Sequence, residues 1–333
     1  MLSFCEDFAR SLSCLEFFRS CTCYVHITQK FRHSKDLYQS QSVGAYHTKE
    51  LEKMPDNILS LKDKFDVFLL DIYGVIWDGK KPIDGAKEAM SALRRSGKKV
   101  ILLSNDARLS TDIEAEQVKR GFIKGVHYDK LVTSGDLAHE IFTEDNRKLK
   151  YYNFCEPGSL FKKTCYVEVK NPEQADFVYL GTPRIFKNGQ WQDCLTISPF
   201  EAELKRFYEL DLPVICVNGD MKAHSGQYDE AVIRSGSAAR YYEDLGGEVE
   251  YFGKPYPQIF DFALQDIETP DDRILMVGDT LETDILGGNT YGIKTALTLT
   301  GIAKDNMEEE EFATIEEYCA EVQIQPDYIL KLV

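Results

Sequence analysis

The chain of 333 residues has 55 acidic and 39 basic side chains, and its formal charge of −16 argues against nucleic acid as the main partner. Its 43% hydrophobic residues can form one large or two ordinary cores, and no run of about 18 apolar residues predicts a transmembrane helix. The nine cysteines are odd in number and scattered, which favours reduced thiols and a cytoplasmic protein.

Residues 1–60 are expected to form an N-terminal extension that is partly disordered or packs on the surface. Their aromatic, Ser and Cys side chains show no helical period. Glu6 and Asp7 precede the first basic residue, which is wrong for a secretory signal. A mitochondrial presequence is the alternative to a cytoplasmic location, although such segments are rich in Arg and poor in acidic residues.

The first predicted strand, residues 65–70, is an apolar run that ends at the carboxylate of Asp71. Such a run is typical of a strand covered on both faces. A helix with apolar residues three and four positions apart follows over 84–95, and a second apolar run at 100–103 ends in Ser104 and Asn105. This βαβ unit implies a parallel sheet.

Strands and helices continue to alternate to residue 302. A helix is predicted from 110 to 120 and a strand at 130–133, and an inserted α/β lobe follows with strands near 149–154, 176–181 and 213–217 and a helix over 199–210. The later elements are a helix at 236–245, a strand at 249–252, a helix from 255 to 264, a strand at 273–279, a helix from 283 and a last major strand at 293–299. The acidic run 308–311 is expected to be a solvated face.

Polar side chains mark the ends of several of these elements. Asp71 and Ser104 follow the first two strands, Lys254 precedes a helix, and Asp279 and Asp284 follow a later strand. Each has a structural alternative, such as a helix cap, a surface lysine or a carboxylate at a helix N-terminus. The carboxyl ends of parallel strands converge at one edge, however, where ligands bind in open α/β sheets.

Four motifs between residues 65 and 302 resemble the haloacid dehalogenase superfamily of Mg2+-dependent phosphohydrolases, subfamily IIA, the capped branch of the para-nitrophenyl phosphatases. They are Leu70-Asp71-Ile72-Tyr73-Gly74-Val75, Leu103-Ser104-Asn105, Gly253-Lys254-Pro255 and Gly278-Asp279-Thr280-Leu281-Glu282-Thr283-Asp284. The resemblance implies an α/β fold with a doubly wound, Rossmann-like parallel core over 61–134 and 240–302. A C2-type α/β cap would occupy 135–239, and 303–333 would be a C-terminal acidic segment.

The resemblance also implies a metal site and a nucleophile. Asp71 would attack the phosphoryl group and ligate Mg2+, together with the backbone carbonyl of Tyr73 and the carboxylate of Asp279. Asp284 would orient a metal-bound water and Lys254. A divalent cation and fixed donors are needed because two negative charges would otherwise repel each other.

Substrate contacts are implied for four further residues. Ser104 and the backbone N–H of Asn105 would bind the transferred phosphoryl group, whose charge Lys254 would neutralise. Asn218 and Asp220 lie in a loop that resembles the substrate-selecting loop of the cap, although an ordinary Asn-Gly turn explains it equally well. The expected substrate is a small phosphorylated metabolite such as a sugar phosphate, with no membrane partner. The protein is a possible homo-oligomer.

Tyr73 departs from the pattern, because phosphatases of this superfamily usually have a second Asp there as general acid and base. General acid–base catalysis contributes about 10²–10⁴-fold. We therefore expect slow turnover, or a preference for esters with good leaving groups. Two alternatives follow: a metal- and phosphate-binding protein with a regulatory role, and a hydrolytic dehalogenase. The paired Asp279 and Asp284 disfavour the dehalogenase, which needs no Mg2+.

Overall fold

The computed structural model describes residues 57–156, 158–309 and 314–330. Most of the predicted N-terminal extension lies outside the described residues. The expectation is wrong for 57–60, because a 3-10 helix at Ile58–Leu61 belongs to the core. Its side chains Ile58 and Leu61 are buried and join the hydrophobic cluster that covers one face of the first sheet.

The described strands and helices are numbered in chain order. The strands are β1 (Val67–Leu70), β2 (Lys99–Ser104), β3 (Lys130–Thr133), β4 (Lys150–Phe154), β5 (Val167–Val169), β6 (Phe177–Leu180), β7 (Arg184–Lys187), β8 (Gln190–Asp193), β9 (Val214–Cys216), β10 (Lys222–Ala223), β11 (Val232–Ile233), β12 (Val249–Tyr251), β13 (Ile274–Gly278), β14 (Lys294–Thr298) and β15 (Tyr328–Leu330). The helices are α1 (Ala86–Arg95), α2 (Ser110–Lys119), α3 (Ser134–Glu144), α4 (Glu201–Glu209), α5 (Ser235–Asp244), α6 (Pro257–Leu264), α7 (Leu286–Tyr291), α8 (Gly301–Glu309) and α9 (Ile315–Val322).

The first sheet has six parallel strands in the order β15-β14-β13-β1-β2-β3. Alternate side chains of β1 enter different clusters: Val67 and Leu69 face one side of the sheet, and Phe68 and Leu70 face the other. Helix α1 covers the second side, whereas α3 and α6 cover the first. Helices on both faces of a parallel sheet confirm the predicted α/β class and doubly wound core.

The predicted end of the core at residue 302 is wrong. β15 pairs in parallel with β14 and forms the sixth strand, and α8 and α9 bury side chains such as Ala303 and Cys319 against the sheet. Only three residues long and without an extended apolar run, β15 lacks the pattern that marks the other core strands. The described residues 303–309 and 314–330 therefore complete the core rather than form a separate acidic segment.

The second sheet has five parallel strands in the order β12-β9-β6-β4-β5, spanning residues 150–251. Helices α4 and α5 pack on it. The sequence-based boundary at 239 is therefore too early, because β12 pairs with β9 and not with the core. At the other boundary, α3 packs on the first sheet, so the second sheet starts at 150 and not 135. None of the helices in the described ranges is long and apolar enough to span a membrane.

Candidate active site

Three neighbouring strands of the first sheet place the predicted polar residues at one edge. Asp71 directly follows β1, Asp279 directly follows β13, and Ser104 is the last residue of β2. The order β13-β1-β2 makes these ends adjacent. Lys254 comes from the segment between β12 and α6, which returns the chain from the second sheet to the first.

Lys254 connects two of the predicted carboxylates. Its ammonium nitrogen lies 2.7 Å from Oδ1 of Asp71 and 2.7 Å from Oδ1 of Asp284. The side chain is only 2% exposed. Burial alone lowers the pKa of Lys254, but the charges of Asp284 and Asp71 outweigh it and hold this pKa above its ordinary value. The lysine is therefore cationic and partly neutralises both acids.

The acidic cluster of Asp71, Asp279 and Asp284 has carboxylate oxygens within 4.8 Å of one another. Burial and the charge of Asp71 raise the pKa of Asp279 well above its ordinary value. Burial also raises the pKa of Asp284 to about 7, although its bond to Lys254 acts in the opposite direction. Three close carboxylates with one lysine leave excess negative charge, and a small divalent cation with oxygen ligands fits this donor set.

A glycine turn keeps the acidic cluster compact. Gly74 has φ +79°, and a Cβ at this position would lie 1.9 Å from Oδ2 of Asp279. Only glycine allows the turn after Asp71 to approach that carboxylate so closely. The same oxygen accepts a hydrogen bond of 2.7 Å from the backbone N–H of Ile302, which ties α8 to the site.

Tyr73 is held by an arginine that the sequence analysis did not identify. Nη2 of Arg120 donates a hydrogen bond of 2.7 Å to the hydroxyl of Tyr73. The guanidinium carbon lies 5.1 Å from the centroid of the Tyr73 ring and 4.6 Å from that of Trp77. Arg120 comes from the C-terminus of α2, where a basic residue is ordinarily a solvated helix end.

Asn105 joins the two sheets at the site. Its side-chain nitrogen donates to Oδ1 of Asp220 at 2.8 Å and to the carbonyl of Lys254 at 3.0 Å. Its side-chain oxygen accepts the backbone N–H of Lys254 at 2.7 Å. Asn218 caps its own loop by accepting the backbone N–H of Asp220 at 3.0 Å. The structure thus gives Asn105 a side-chain role in addition to the predicted backbone contact.

A cavity of about 330 Å³ lies between the two sheets and brings most predicted site residues together. The predicted residues in its lining are Asp71, Tyr73, Ser104, Asn218 and Asp220. Asp279 lines a small neighbouring recess that also contains Asp71. The lining also contains four arginines that were not predicted, because none of them belongs to one of the four motifs: Arg108, Arg120, Arg184 and Arg234.

Asp220 gives a testable pH dependence of stability. Burial raises the pKa of Asp220 to about 6. A carboxyl whose pKa is higher folded than unfolded favours folding while protonated, and this contribution is lost as pH rises from about 4 through 6. Asp220→Asn stays neutral and still accepts from Asn105. We expect it to be more stable than the native chain by about 1 kcal/mol at pH 4.5 and roughly 3 kcal/mol at pH 8.

Urea unfolding of both proteins in a chelating buffer between pH 4.5 and 8 measures this difference. Asp266→Asn is the matched control, because Asp266 is 81% exposed and only weakly paired with Lys130 at 3.9 Å. It should change stability by a similar small amount at every pH. A difference for Asp220→Asn that does not grow with pH would contradict burial as the cause of the shift.

Family comparisons match both segments that carry the motifs. Residues 68–166 match the family described as haloacid dehalogenase-like hydrolase, and residues 251–331 match one described as HAD-hydrolase-like. Phosphoglycolate phosphatase 2 of Arabidopsis thaliana is 28% identical over 274 residues, 75% of this chain and 88% of that protein. Sugar-phosphatase AraL of Bacillus subtilis is 25% identical over 240 residues, 71% and 84% respectively.

Solved structures share the fold over most of the chain. A haloacid dehalogenase-like hydrolase from Brucella suis superposes with a TM-score of 0.69 at 25% identity, covering 84% of this chain and 100% of that one. A 4-nitrophenylphosphatase from Thermotoga maritima gives a TM-score of 0.59 at 22% identity, covering 82% and 96%. The second similarity concerns the fold alone.

Proposed function

Because this chain belongs to the haloacid dehalogenase superfamily of hydrolases, subfamily IIA, we propose that it is a Mg2+-dependent phosphatase that hydrolyses a small phosphate monoester through Asp71. One observation carries the proposal: Asp71 lies in a cavity, bonded to Lys254 and beside two further buried aspartates. The names of the phosphatase relatives support the same reaction class.

The metal would be held by the carboxylates of Asp71 and Asp279 and by the backbone carbonyl of Tyr73. Asp284 already binds Lys254 through Oδ1 and the backbone N–H of Thr280 through Oδ2 at 3.2 Å, which suits an orienting role. When bound, Mg2+ supplies the positive charge that lets a carboxylate approach a phosphoryl dianion.

Asp71 is the proposed nucleophile. Its Oδ1 is bonded to Lys254, and within the described residues Oδ2 has no recorded hydrogen bond, so Oδ2 is the oxygen available for attack. Attack forms an aspartyl phosphate as the ester P–O bond breaks and an alkoxide leaves. Water then attacks phosphorus, which releases phosphate and restores the carboxylate. Ser104, 4% exposed and in the cavity lining, would donate to the phosphoryl oxygens.

Tyr73 would limit the rate of both proton transfers. Its hydroxyl oxygen accepts from Arg120, and its O–H is the group that would donate to a leaving alkoxide. A phenol is a poor base near neutral pH, and it would activate the second-step water weakly. The proposal therefore includes slow turnover of alkyl esters.

A phosphate-release screen over a panel of phosphorylated metabolites, with and without Mg2+, tests the function. Asp71→Asn is the blank and should lower release by about 10³-fold or more, because it removes the attacking group. Asn keeps the acceptor for Lys254, so the variant should fold. Equal release by Asp71→Asn and the native chain would contradict the assignment.

The second candidate is a protein that binds metal and a phosphorylated ligand without efficient hydrolysis. Tyr73 favours this candidate, because it stands where an acid and base are expected. Intact Asp71 opposes it, since a binding protein needs no nucleophile. If the screen detects no phosphate release and calorimetry detects binding of phosphate esters, the result would support the binding protein over the phosphatase.

The second sheet, residues 150–251, is proposed as the cap, because its loop at Asn218 and Asp220 lines the same cavity as Asp71. A cytoplasmic location is also proposed. The free cysteines that the structure describes agree with a reducing compartment.

A further inference from the structure

The cavity that contains Asp71 is also lined by four arginines, and two of them pair with acids of the segment between β2 and the end of α2. Arg108 lies 2.6 Å from Asp106 and 3.1 Å from Glu116. Arg120 pairs with the other oxygen of Glu116 and donates to Tyr73. Two arginines and two acids therefore balance one another on this part of the wall.

The remaining two arginines, Arg184 in β7 and Arg234 between β11 and α5, share one carboxylate. Arg184 lies 2.7 Å from Glu156 and 2.6 Å from Oδ1 of Asp193. Arg234 reaches the same oxygen of Asp193 at 3.3 Å, and its other bond is to the carbonyl of Ile233 at 3.2 Å. Asp193 is thus closer to Arg184 than to Arg234, and its interaction with Arg234 is the weaker of the two.

Arg234 has donor capacity that the described residues do not use. Its two side-chain hydrogen bonds both leave from Nη1, whereas a guanidinium offers five N–H donors in a planar fork. The residue is 9% exposed and lines the cavity. Burial also lowers the pKa of Arg234, because the nearby acids do not fully offset the desolvation of its charge.

An anion is the partner that satisfies a buried guanidinium of this kind. A charge-assisted bond from an arginine fork to a carboxylate or phosphate is among the strongest hydrogen bonds available. A carboxylate or phosphate can accept two parallel N–H bonds from the arginine fork, which a single hydroxyl cannot do. The reacting phosphoryl group is proposed to lie beside Asp71 and Lys254, which come from elements other than those that flank Arg234.

We propose that Arg234 binds a second anionic group at the far end of the substrate, a carboxylate or a second phosphate. The substrate class is then phosphate monoesters of acids, or bisphosphates, rather than esters of neutral sugars or alcohols. This inference rests on the proposed phosphatase function and identifies Arg234 as the specificity-determining residue of the same cavity. The relatives do not decide the question, because their names include a sugar phosphatase as well as phosphoglycolate phosphatases.

Two pairs of probes differ mainly in the second charge: 3-phosphoglycerate with glycerol 3-phosphate, and fructose 1,6-bisphosphate with fructose 6-phosphate. Calorimetric binding to the Asp71→Asn protein needs no turnover, so it tests this inference even where hydrolysis fails. The charged member of at least one pair should bind more tightly, by about tenfold to a hundredfold. A preference within the first pair would indicate a site for a carboxylate, and a preference within the second pair would indicate a site for a second phosphate.

Arg234→Gln, made in the same background, should reduce that preference to within about threefold, and Arg234→Lys should keep part of it because it retains the charge but not the fork. Arg240→Gln is the control, since Arg240 lies in α5, is 64% exposed and pairs with Asp244 at 3.2 Å. It should retain the full preference. If Arg234→Gln is unstable, Arg234→Lys decides the result.

Equal affinity within both pairs, or a preference that survives both Arg234 variants, would overturn the inference. Failure of the proposed function looks different. In that case the native chain releases no phosphate from any of the four probes, whereas the binding preference and its dependence on Arg234 persist.

Discussion

Replacement of Lys254 with methionine is expected to destabilise the fold by about 3–5 kcal/mol at pH 7.5, the usual cost of leaving buried charges unpaired. The ammonium lies 2.7 Å from both Asp71 and Asp284 and is 2% exposed, so water cannot replace it. Methionine fills a similar volume and removes only the charge and its hydrogen bonds. Phosphate release should fall with the loss, because Asp71 is then no longer held.

The cost should decrease as pH falls, because the acids can be neutralised by protons instead of by the lysine. Burial already raises the pKa of Asp284 to about 7, and loss of Lys254 removes a contact that lowers it. Urea unfolding of both proteins at pH 7.5 and pH 5.5 in a chelating buffer measures the change. A smaller difference at pH 5.5 is the expected result.

Lys304→Met is the matched control, since Lys304 is 61% exposed and lies 3.8 Å from Glu308. Its stability should change by no more than about 0.5 kcal/mol. If Lys254→Met costs as little as Lys304→Met, the buried lysine does not stabilise the site, and the electrostatic account of the acidic cluster is wrong.

The core strands could be predicted because burial on both faces requires an unbroken apolar run. Residues 67–70 and 274–278 have this pattern, and both are central strands of the first sheet. The sheet that a short strand joins could not be predicted in the same way. Val249–Tyr251 pairs with β9 and Tyr328–Leu330 with β14, and those partners are set by tertiary packing rather than by local pattern.

The candidate site, like the fold, could be predicted only in part. Asp71, Ser104 and Asp279 are adjacent because parallel strands bring their carboxyl ends to one edge, which the order of elements along the chain already implies. Arg120 directly follows helix α2, Arg234 lies between β11 and α5, and both line the cavity. Neither position has a sequence signal, so only the relative placement of the two sheets identifies them.

Replacement of Tyr73 with aspartate is expected to raise phosphate release from alkyl esters by about 10²–10⁴-fold, the usual contribution of a general acid and base. The carboxyl group would protonate the leaving alkoxide and then accept a proton from the attacking water. Aspartate is too short to keep the contact that Arg120 makes with the Tyr73 hydroxyl. Arg120 would retain its pairing with Glu116 and should stay ordered.

The choice of ester separates the two proton transfers. Para-nitrophenol leaves without protonation, so the native chain should release one equivalent of it quickly and then turn over slowly while aspartyl phosphate accumulates. Tyr73→Asp should remove this burst and raise the steady rate. With an alkyl phosphate the native chain should show no burst, because release of the alcohol is itself slow without a good acid.

Tyr73→Phe and Asp71→Asn/Tyr73→Asp are the controls. The first retains the ring but not the hydroxyl, and it should lower release of alkyl alcohols if the phenol donates the proton. The second should be inactive, because aspartate at position 73 cannot replace the nucleophile. A gain in Tyr73→Asp that persists without Asp71 would mean that the new carboxylate creates a different reaction. No gain at all would mean that something other than the missing acid limits turnover.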